Sequence, residues 1–465
     1  MQYDYDFIVI GSGPGGHNAA VHAEREGKKV AIIEKEREIG GACVHQGTIP
    51  SKTLRETASN LSRFTKSANG FQFSLKENVQ VESLMSRKVQ VRKEHVRYMT
   101  SQLKDVDTFR GKATFKDDHT IEIKNLKGEI SEISAEYIVI ATGSRPRDPE
   151  NIPTDHEHIL DSDSILSMIY LPTSLTVLGG GVIACEYATI FSVLGVKVTI
   201  IDTADRPLRF LDPQLTDKFI ESFENQNGTY LGNKKISSVE WDGISEVVTK
   251  LESGEEIHSQ KMFVALGRLA NVEILNPNKV GIELSSRNQI LVNENYQTNK
   301  SHIYAVGDVI GFPALASTSM EQGRRAIHHA LGMDMGTPFE NVPMGIYTIP
   351  EISCIGLAES EAREKYGENI IVGFANFDEV ARGQISGISD GLLKIVCAED
   401  GQTILGVHII GDGSTELIHV AQMAILGKLP LDTFIENVMN FPTLAEAYRL
   451  AALDVRKNFL GSTRA

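Results

Sequence analysis

A strand, a glycine-rich turn, a helix and a second strand follow one another at the start of this 465-residue chain, and the same pattern recurs later. The first copy, "IVIGSGPGGHNAAVHAEREGKKVAIIE", contains Gly11, Gly13 and Gly16 in a G-x-G-x-x-G turn and ends in Glu34. Gly11 permits a tight turn, Gly13 lets backbone N–H groups approach a pyrophosphate, and Gly16 lets the helix pack closely on the strand. Unpaired N–H groups at the helix start suit phosphates, and Glu34 suits ribose hydroxyls. This copy predicts a parallel-sheet unit that binds a dinucleotide.

The second copy is "LTVLGGGVIACEYATIFSVLGVKVTIID". Gly179, Gly181 and Ala184 occupy the three turn positions, and the second strand ends in Asp202. The same number of positions separates the first glycine from the acid in both copies. Glycines that served only as unrelated turns would not easily give this spacing twice. The chain is therefore expected to bind two dinucleotides.

Three further strand ends carry candidate binding residues. "EYIVIATGSRPR" is an apolar strand that runs into Gly143, and "KMFVALGRLANVE" repeats the pattern at Gly267. "HIYAVGDVIG" is a strand followed by Asp308. A carboxylate at this position suits a polyol chain, and it also suits a helix N-cap, so that one residue can serve both roles.

The order of these segments predicts an α/β fold with two Rossmann-like dinucleotide-binding domains and a C-terminal α+β dimerisation domain. The first dinucleotide domain comprises residues 1–148 and 271–339, and residues 149–270 form the second one. Residues 340–465 lack a nucleotide fingerprint. Alternating strands in "GLLKIVCAEDGQTILGVHIIG" and helical stretches after them indicate an α+β unit, whose expected use is subunit docking.

Composition excludes several classes of function. The formal charge of −15 opposes binding to nucleic acid and to anionic membranes. No apolar run reaches the roughly 18 residues of a membrane span, and the N-terminus lacks a basic signal region. The four cysteines are scattered and the histidines show no zinc-like spacing, so we expect a cytoplasmic protein without a metal site.

With these motifs, the chain resembles the two-dinucleotide flavoprotein disulfide reductases over nearly all its length, a family that includes lipoamide dehydrogenase, glutathione reductase and mercuric reductase. The resemblance implies FAD on the first fingerprint, NAD(H) or NADP(H) on the second, and a homodimer formed through the C-terminal domain. It implies FAD contacts from Gly11, Gly13, Gly16, Glu34, Lys52, Gly143 and Asp308. The implied nicotinamide nucleotide contacts are Gly179, Gly181, Ala184, Asp202, Arg206 and Gly267.

The resemblance also implies a catalytic centre, but two positions depart from the family pattern. Lys52, in "IPSK", matches the lysine beside the flavin ring, and Glu186 matches the acid that pairs with it. Cys43 matches one member of the redox disulfide, whereas Thr48 stands where the second cysteine is expected. Phe441 replaces the acid–base histidine that normally precedes Pro-Thr. A dithiol substrate needs both a thiolate acceptor and a base, so disulfide reduction is not expected.

The remaining parts suit hydride exchange between nucleotides. "GTIPSK", "YTIPEIS" and "FPTLAEAYRLAAL" are similar to the soluble, Si-specific pyridine nucleotide transhydrogenases, a subgroup that works without the disulfide. The predicted reaction is NADPH + NAD+ ⇌ NADP+ + NADH by a ping-pong route through FAD. Cys43 is then either a small apolar filler or a catalytic thiolate. The alternatives are an NADH diaphorase that reduces quinones, dyes or oxygen, and a non-enzymatic flavoprotein redox sensor.

The sequence leaves nucleotide preference open. Asp202 favours the free 2′-hydroxyl of NAD(H), because a carboxylate repels a 2′-phosphate. Arg206 either offsets that repulsion and admits NADP(H), or forms a surface ion pair with Asp202 or Asp205. The direction of hydride transfer and any assembly above the dimer are likewise undecided.

Overall fold

The computed structural model describes residues 2–67, 81–337, 341–388 and 390–462. In chain order, the strands are β1 (Tyr5–Ile10), β2 (Val30–Glu34), β3 (Asp107–Arg110), β4 (Lys112–Phe115), β5 (Thr120–Lys124), β6 (Ile130–Ile140), β7 (Ser144–Pro146), β8 (Ile159–Leu160), β9 (Ser174–Leu178), β10 (Lys197–Ile201), β11 (Gly228–Leu231), β12 (Ile236–Trp241), β13 (Val247–Leu251), β14 (Glu256–Ser259), β15 (Lys261–Val264), β16 (Arg268–Ala270), β17 (Ile303–Ala305), β18 (Met344–Ile346), β19 (Ile352–Gly356), β20 (Ile371–Asn376), β21 (Leu392–Cys397) and β22 (Ile404–Ile410). The α-helices are α1 (Pro14–Arg25), α2 (Gly41–His45), α3 (Thr48–Ser67), α4 (Val81–Gln102), α5 (Val182–Val193), α6 (Pro213–Glu224), α7 (Ala316–Ala330), α8 (Glu359–Tyr366), α9 (Ala381–Ser386), α10 (Ser414–Leu426), α11 (Asp432–Glu436) and α12 (Glu446–Ser462).

The first sheet carries the first fingerprint at its centre. Its order is β3-β2-β1-β6-β5-β4, and β17 pairs with β6. Strands β3, β2, β1, β6 and β17 are mutually parallel, so the carboxyl ends of β1, β6 and β17 meet at one edge. Phe7, Ile8 and Val9 are fully buried, as expected for a parallel strand covered on both faces. Helix α1 begins right after the glycine turn and α7 packs against it.

The second fingerprint lies in a separate parallel sheet with the order β11-β10-β9-β15-β8. An antiparallel meander of β12, β13 and β14 lies beside it. Helix α5 begins right after Gly181. A small antiparallel pair of β7 and β16 joins the two units, because β7 leaves the first unit and β16 returns from the second.

The C-terminal unit is an antiparallel sheet with the order β18-β19-β22-β21-β20. Helices α10 and α12 cover this sheet, and residues such as Phe377 and Tyr448 fill the core between them. These sheets agree with the predicted architecture of two Rossmann-like units followed by an α+β unit. The boundaries proposed after residues 148, 270 and 339 remain predictions. None of the helices in the described part of the chain combines the length and apolar character that a bilayer crossing requires.

Candidate active site

A cavity of about 1350 Å³ lies where the first glycine turn, helices α2, α3 and α5 and the C-terminal unit come together. Most of the residues predicted to contact FAD or to form the catalytic centre line it: Gly11, Gly13, Glu34, Cys43, Lys52, Gly143, Glu186 and Asp308. The carboxyl ends of β1, β6 and β17 line one part of the cavity, as expected for an open parallel sheet.

The glycine turn of the first copy fits a phosphate ligand. A Cβ at Gly11 would lie 2.4 Å from the Ala141 oxygen, and a Cβ at Gly16 would lie 2.0 Å from the Gly11 oxygen. These glycines permit close backbone packing, and the φ of +101° at Gly11 disfavours any side chain. A Cβ at Gly13, in contrast, would meet no protein atom within 4 Å and would project into the cavity. Gly13 therefore leaves backbone exposed where a pyrophosphate can lie.

Glu34 holds the turn as well as facing the cavity. Its side chain is buried, and Oε2 accepts hydrogen bonds from the backbone N–H of Ser12 at 3.0 Å and from the Ser12 hydroxyl at 2.5 Å. Oε1 accepts from the N–H of Glu36 at 2.9 Å, and the Ser12 hydroxyl accepts from the N–H of Gly40 at 3.0 Å. Sequence reasoning missed Ser12, although its position between the first two fingerprint glycines was a usable signal.

Asp308 belongs to a polar chain that sequence reasoning also missed. The Ser144 hydroxyl donates to Asp308 Oδ2 at 2.6 Å, and Arg268 Nε donates to that hydroxyl at 2.8 Å. Arg268 also donates to the Ser144 carbonyl at 2.9 Å and to the Ser162 hydroxyl at 3.2 Å. Gly143 and Gly267, both with positive φ, directly precede Ser144 and Arg268. The repeated strand–glycine–polar pattern in the two segments was the available signal.

Lys52 and Glu186 form an ion pair in the cavity wall. The Lys52 ammonium lies 2.5 Å from Glu186 Oε2, and the Lys52 and Glu186 side chains are 27% and 5% exposed. Glu186 Oε1 accepts a hydrogen bond from the N–H of Tyr347 at 2.9 Å, and the Tyr347 ring lies 5.0 Å from the ammonium. Helices α3 and α5 and the segment before β19 thus position one charged centre.

Cys43 has a hydroxyl for a neighbour in place of a second thiol. Thr48, the first residue of α3, lies beside the side chain of Cys43. Burial raises the pKa of the Cys43 thiol and outweighs the opposing effects of Thr48 and Lys52, so the thiol is protonated at neutral pH. Phe441 is 74% exposed and lies outside the cavity of its own chain.

The second fingerprint has the expected geometry, but Gly179, Gly181 and Ala184 do not line this cavity, which only Val182 and Ile183 of the motif reach. Gly179 has φ +100°, and its added Cβ would lie 2.8 Å from the Ala265 oxygen, whereas one at Gly181 would meet open space. Ala184 is buried in the first turn of α5. The Asp202 carboxylate lies over the turn, because a Cβ at Gly180 would come within 2.2 Å of Asp202 Oδ2.

Arg206 takes a position that the sequence did not predict. Its Nη1 donates to Asp217 Oδ1 at 3.0 Å, to the Thr216 hydroxyl at 3.1 Å and to the Pro213 carbonyl at 3.2 Å. The expected ion pair with Asp205 is long, at 3.9 Å. The described residues show no pair between Arg206 and Asp202, so of the two ion pairs considered from the sequence only the one with Asp205 is present.

One group of potential metal ligands occurs among the described residues, and it comprises Asp118, His119 and His302. The two imidazole rings are stacked, with centroids 4.0 Å apart and planes 13° apart. A metal ion binds an imidazole nitrogen in the plane of the ring, and one ion cannot lie in two nearly parallel stacked planes. We therefore assign no metal to this group.

Comparison with known proteins gives consistent matches over almost the whole chain. The Pyridine nucleotide-disulphide oxidoreductase family matches residues 5–323, and its dimerisation domain matches residues 342–452. A soluble pyridine nucleotide transhydrogenase of Mycobacterium tuberculosis is 40% identical, with 97% of each chain covered. The Pseudomonas aeruginosa protein of the same name is 40% identical, covering 97% of this chain and 98% of its own.

Two solved structures have the same fold. LpdA from Mycobacterium tuberculosis has a TM-score of 0.88 at 26% identity, covering 96% of this chain and 99% of its own. The HOCl-induced flavoprotein disulfide reductase RclA from Escherichia coli has a TM-score of 0.88 at 25% identity, covering 97% of this chain and 99% of its own. The agreement extends across both dinucleotide units and the C-terminal unit.

Proposed function

Because this chain belongs to the pyridine nucleotide-disulphide oxidoreductase family, we propose that it is a soluble transhydrogenase that moves a hydride between NADPH and NAD+ with FAD as its cofactor. The observation that carries this proposal is the partner of Cys43. The family's dithiol chemistry needs two sulfur atoms, and here Thr48 stands beside the single, protonated thiol of Cys43. Hydride exchange between nucleotides needs no second thiol.

The residues that line the cavity suit the parts of FAD. Gly13 and Gly143 would expose backbone to the pyrophosphate and to the neighbouring part of the cofactor, because an added Cβ at either position meets no protein atom within 4 Å. Glu34 would bind the adenosine ribose, and Asp308, oriented by Ser144, would bind the polyol chain. When bound, FAD accepts a hydride from one nicotinamide nucleotide and passes it to another.

Lys52 would supply positive charge beside the ring system. Its ammonium is held in one direction by Glu186, which is fixed in turn by the N–H of Tyr347. A preorganised cation favours the negative charge that develops as the hydride arrives, and it needs no reorganisation at that moment. Cys43 stays neutral and fills space beside this centre.

The second fingerprint would bind both nicotinamide nucleotides in turn, with Asp202 at the adenosine ribose. The matched dimerisation domain supports a homodimer through residues 340–465. The cytoplasmic location and the lack of nucleic-acid binding stay predictions.

A two-step mixing experiment tests the function. The oxidised holoenzyme is first mixed with NADPH in a stopped-flow instrument and then with NAD+. We expect rapid loss of flavin absorbance in the first step, recovery in the second, and formation of NADH. Initial rates with both nucleotides varied should give parallel lines, as one shared site requires. Failure of NADPH to bleach the flavin would contradict the proposal.

One observation favours a second candidate, an NADH diaphorase. Arg206 is engaged by Asp217, while Asp202 lies over the turn, and this arrangement favours NAD(H) over NADP(H). Steady reduction of quinones by NADH, together with no oxidation of NADPH, would support this candidate over the transhydrogenase.

A further inference from the structure

Helix α6 binds the arginine that the nucleotide site would need for a 2′-phosphate. Three acceptors at the start of this helix, the Pro213 carbonyl, the Thr216 hydroxyl and the Asp217 carboxylate, all take hydrogen bonds from Arg206 Nη1. The Asp217 contact is the shortest, at 3.0 Å, and it is the only one of the three that involves a charged acceptor. A charge-assisted hydrogen bond is stronger than a neutral one, so Asp217 contributes most to this position of Arg206.

Helix α6 cannot easily move to release the arginine. Its N-cap, Asp212, is fully buried and accepts a hydrogen bond from the N–H of Gln214 at 3.1 Å. The same carboxylate lies 2.7 Å from the ammonium of Lys394, which is 1% exposed and also pairs with Glu359 at 2.7 Å. Because Lys394 lies on β21, this buried network fixes the start of α6 to the C-terminal sheet. Asp217 is therefore presented from a rigid element.

The backbone of Arg206 nevertheless lies at the rim of the second fingerprint. The N–H of Leu208 donates to the Gly180 carbonyl at 2.8 Å, and a Cβ at Gly180 would lie 3.3 Å from Pro207 Cα. The loop after β10 thus folds back over the turn. From this position the long arginine side chain can turn either toward α6 or toward the adenosine ribose, and the two directions compete for one guanidinium.

We propose that Asp217 is a positioning residue for nucleotide preference, which holds Arg206 on α6 and so reduces its availability to the 2′-phosphate of NADP(H). This inference rests on the proposed function, because it presumes that NADP(H) binds the second fingerprint. The local charges support it, because Arg206 lies near two acids, Asp217 at 3.0 Å and Asp205 at 3.9 Å, and Asp205 also pairs with Arg209 at 3.8 Å. An additional cost of breaking the pair with Asp217 then falls on NADP(H) alone.

The variant Asp217→Asn tests the proposal, with Glu224→Gln as the matched control. Glu224 is exposed at the C-terminal end of α6, so its substitution removes the same charge from the same helix. Isothermal titration calorimetry on the oxidised holoenzyme gives Kd values for NADP+, 2′,5′-ADP and NAD+. We expect Asp217→Asn to lower the Kd values of NADP+ and 2′,5′-ADP by about three- to fivefold, which is the scale of one partly exposed ion pair. The Kd of NAD+ should stay unchanged.

Two further variants locate the effect at Arg206. The effect of Asp217→Asn should disappear in the Arg206→Ala background, whereas Asp217→Glu should retain the wild-type preference. If Glu224→Gln gains the same affinity for NADP+ and 2′,5′-ADP, the effect comes from net charge and the proposal is overturned. A gain that persists without Arg206, or no gain at all, would also overturn it.

The proposed function is judged separately, by hydride exchange in the wild type. If the wild type transfers hydride but Asp217→Asn binds NADP+ and 2′,5′-ADP no more tightly, only this inference is refuted. If the wild type exchanges no hydride, while Asp217→Asn still changes the affinity for 2′,5′-ADP, only the proposed function is refuted. If 2′,5′-ADP binds neither to the wild type nor to Asp217→Asn, the inference is wrong, because this site then accepts no 2′-phosphate.

Discussion

The ion pair between Lys52 and Glu186 should respond unequally to the loss of each partner. Lys52→Met removes the cation and leaves a carboxylate that is only 5% exposed, with the N–H of Tyr347 as its remaining donor. Glu186→Gln keeps an oxygen for that N–H and leaves an ammonium that is 27% exposed and can turn toward water. The cost of a stranded charge grows with its burial, so Lys52→Met should be the more destabilising of the two.

The structure sets the scale of the effect. Coulomb's law with an effective dielectric constant of about 20 gives roughly 6–7 kcal/mol for unit charges 2.5 Å apart. Desolvation of the carboxylate and the partial exposure of the ammonium offset more than half of this attraction. We therefore expect Lys52→Met to lower the free energy of unfolding by about 3 kcal/mol and Glu186→Gln to lower it by about 1 kcal/mol. The double variant should lose about 2 kcal/mol less than the sum of the two.

A double-mutant cycle measures this coupling. Denaturant unfolding of the holoenzyme, followed by far-UV circular dichroism and by flavin fluorescence, gives the free energies of the four proteins. The flavin reduction potential provides a second readout, and Lys52→Met should lower it because the cation no longer favours the reduced ring. Additive losses in stability, or equal losses in the two single variants, would refute the reasoning from burial. An unchanged potential in Lys52→Met would place the ammonium away from the reacting ring.

Four further outcomes are expected. Gly13→Val should purify without bound flavin, because its side chain would fill the space left for the pyrophosphate; a variant with one yellow flavin per subunit would contradict this assignment. Cys43→Ser should keep most of the hydride-transfer rate, and the enzyme should take up two electrons per subunit in an anaerobic titration, whereas uptake of four would indicate a disulfide cycle. Because burial raises the pKa of the Cys43 thiol, its alkylation by iodoacetamide should become fast only at a higher pH than for free cysteine; rapid alkylation at neutral pH would identify a reactive thiolate. Asp202→Asn should weaken the binding of NAD(H) and strengthen the binding of NADP(H), each by about 1–2 kcal/mol as derived from Kd measurements. A change of the same sign and size for both nucleotides would place this acid away from the ribose.

The sequence was most informative where function depends on the local backbone. Gly11 and Gly179 both take the positive φ that the tight turn requires, and helices α1 and α5 begin within three residues of these glycines. Such turns are encoded by a few contiguous residues, because only glycine adopts that conformation without strain. The parallel order of the sheets followed from the alternation of strands and helices, since each crossover places the next strand parallel to the last.

The resemblance to a family supplied what local patterns do not contain. Lys52 and Glu186 are 134 positions apart, and no periodicity or spacing connects them. The family pattern paired them, and the structure places them 2.5 Å apart. The pattern also marked Thr48 as the residue in place of the second thiol, and the structure places it beside Cys43.

The sequence by itself determined the two glycine turns and the acids at the ends of the strands that follow them. These features are set by neighbouring residues and by the chemistry of single side chains. The tertiary structure alone decided that Ser12 braces Glu34, that Arg268 reaches Asp308 through Ser144, and that Arg206 pairs with Asp217. Each of these partners is chosen by the position of an element that packs elsewhere in the fold. A long side chain such as that of arginine can reach several acids, so only the packing of α6 against the C-terminal sheet selects which one it meets.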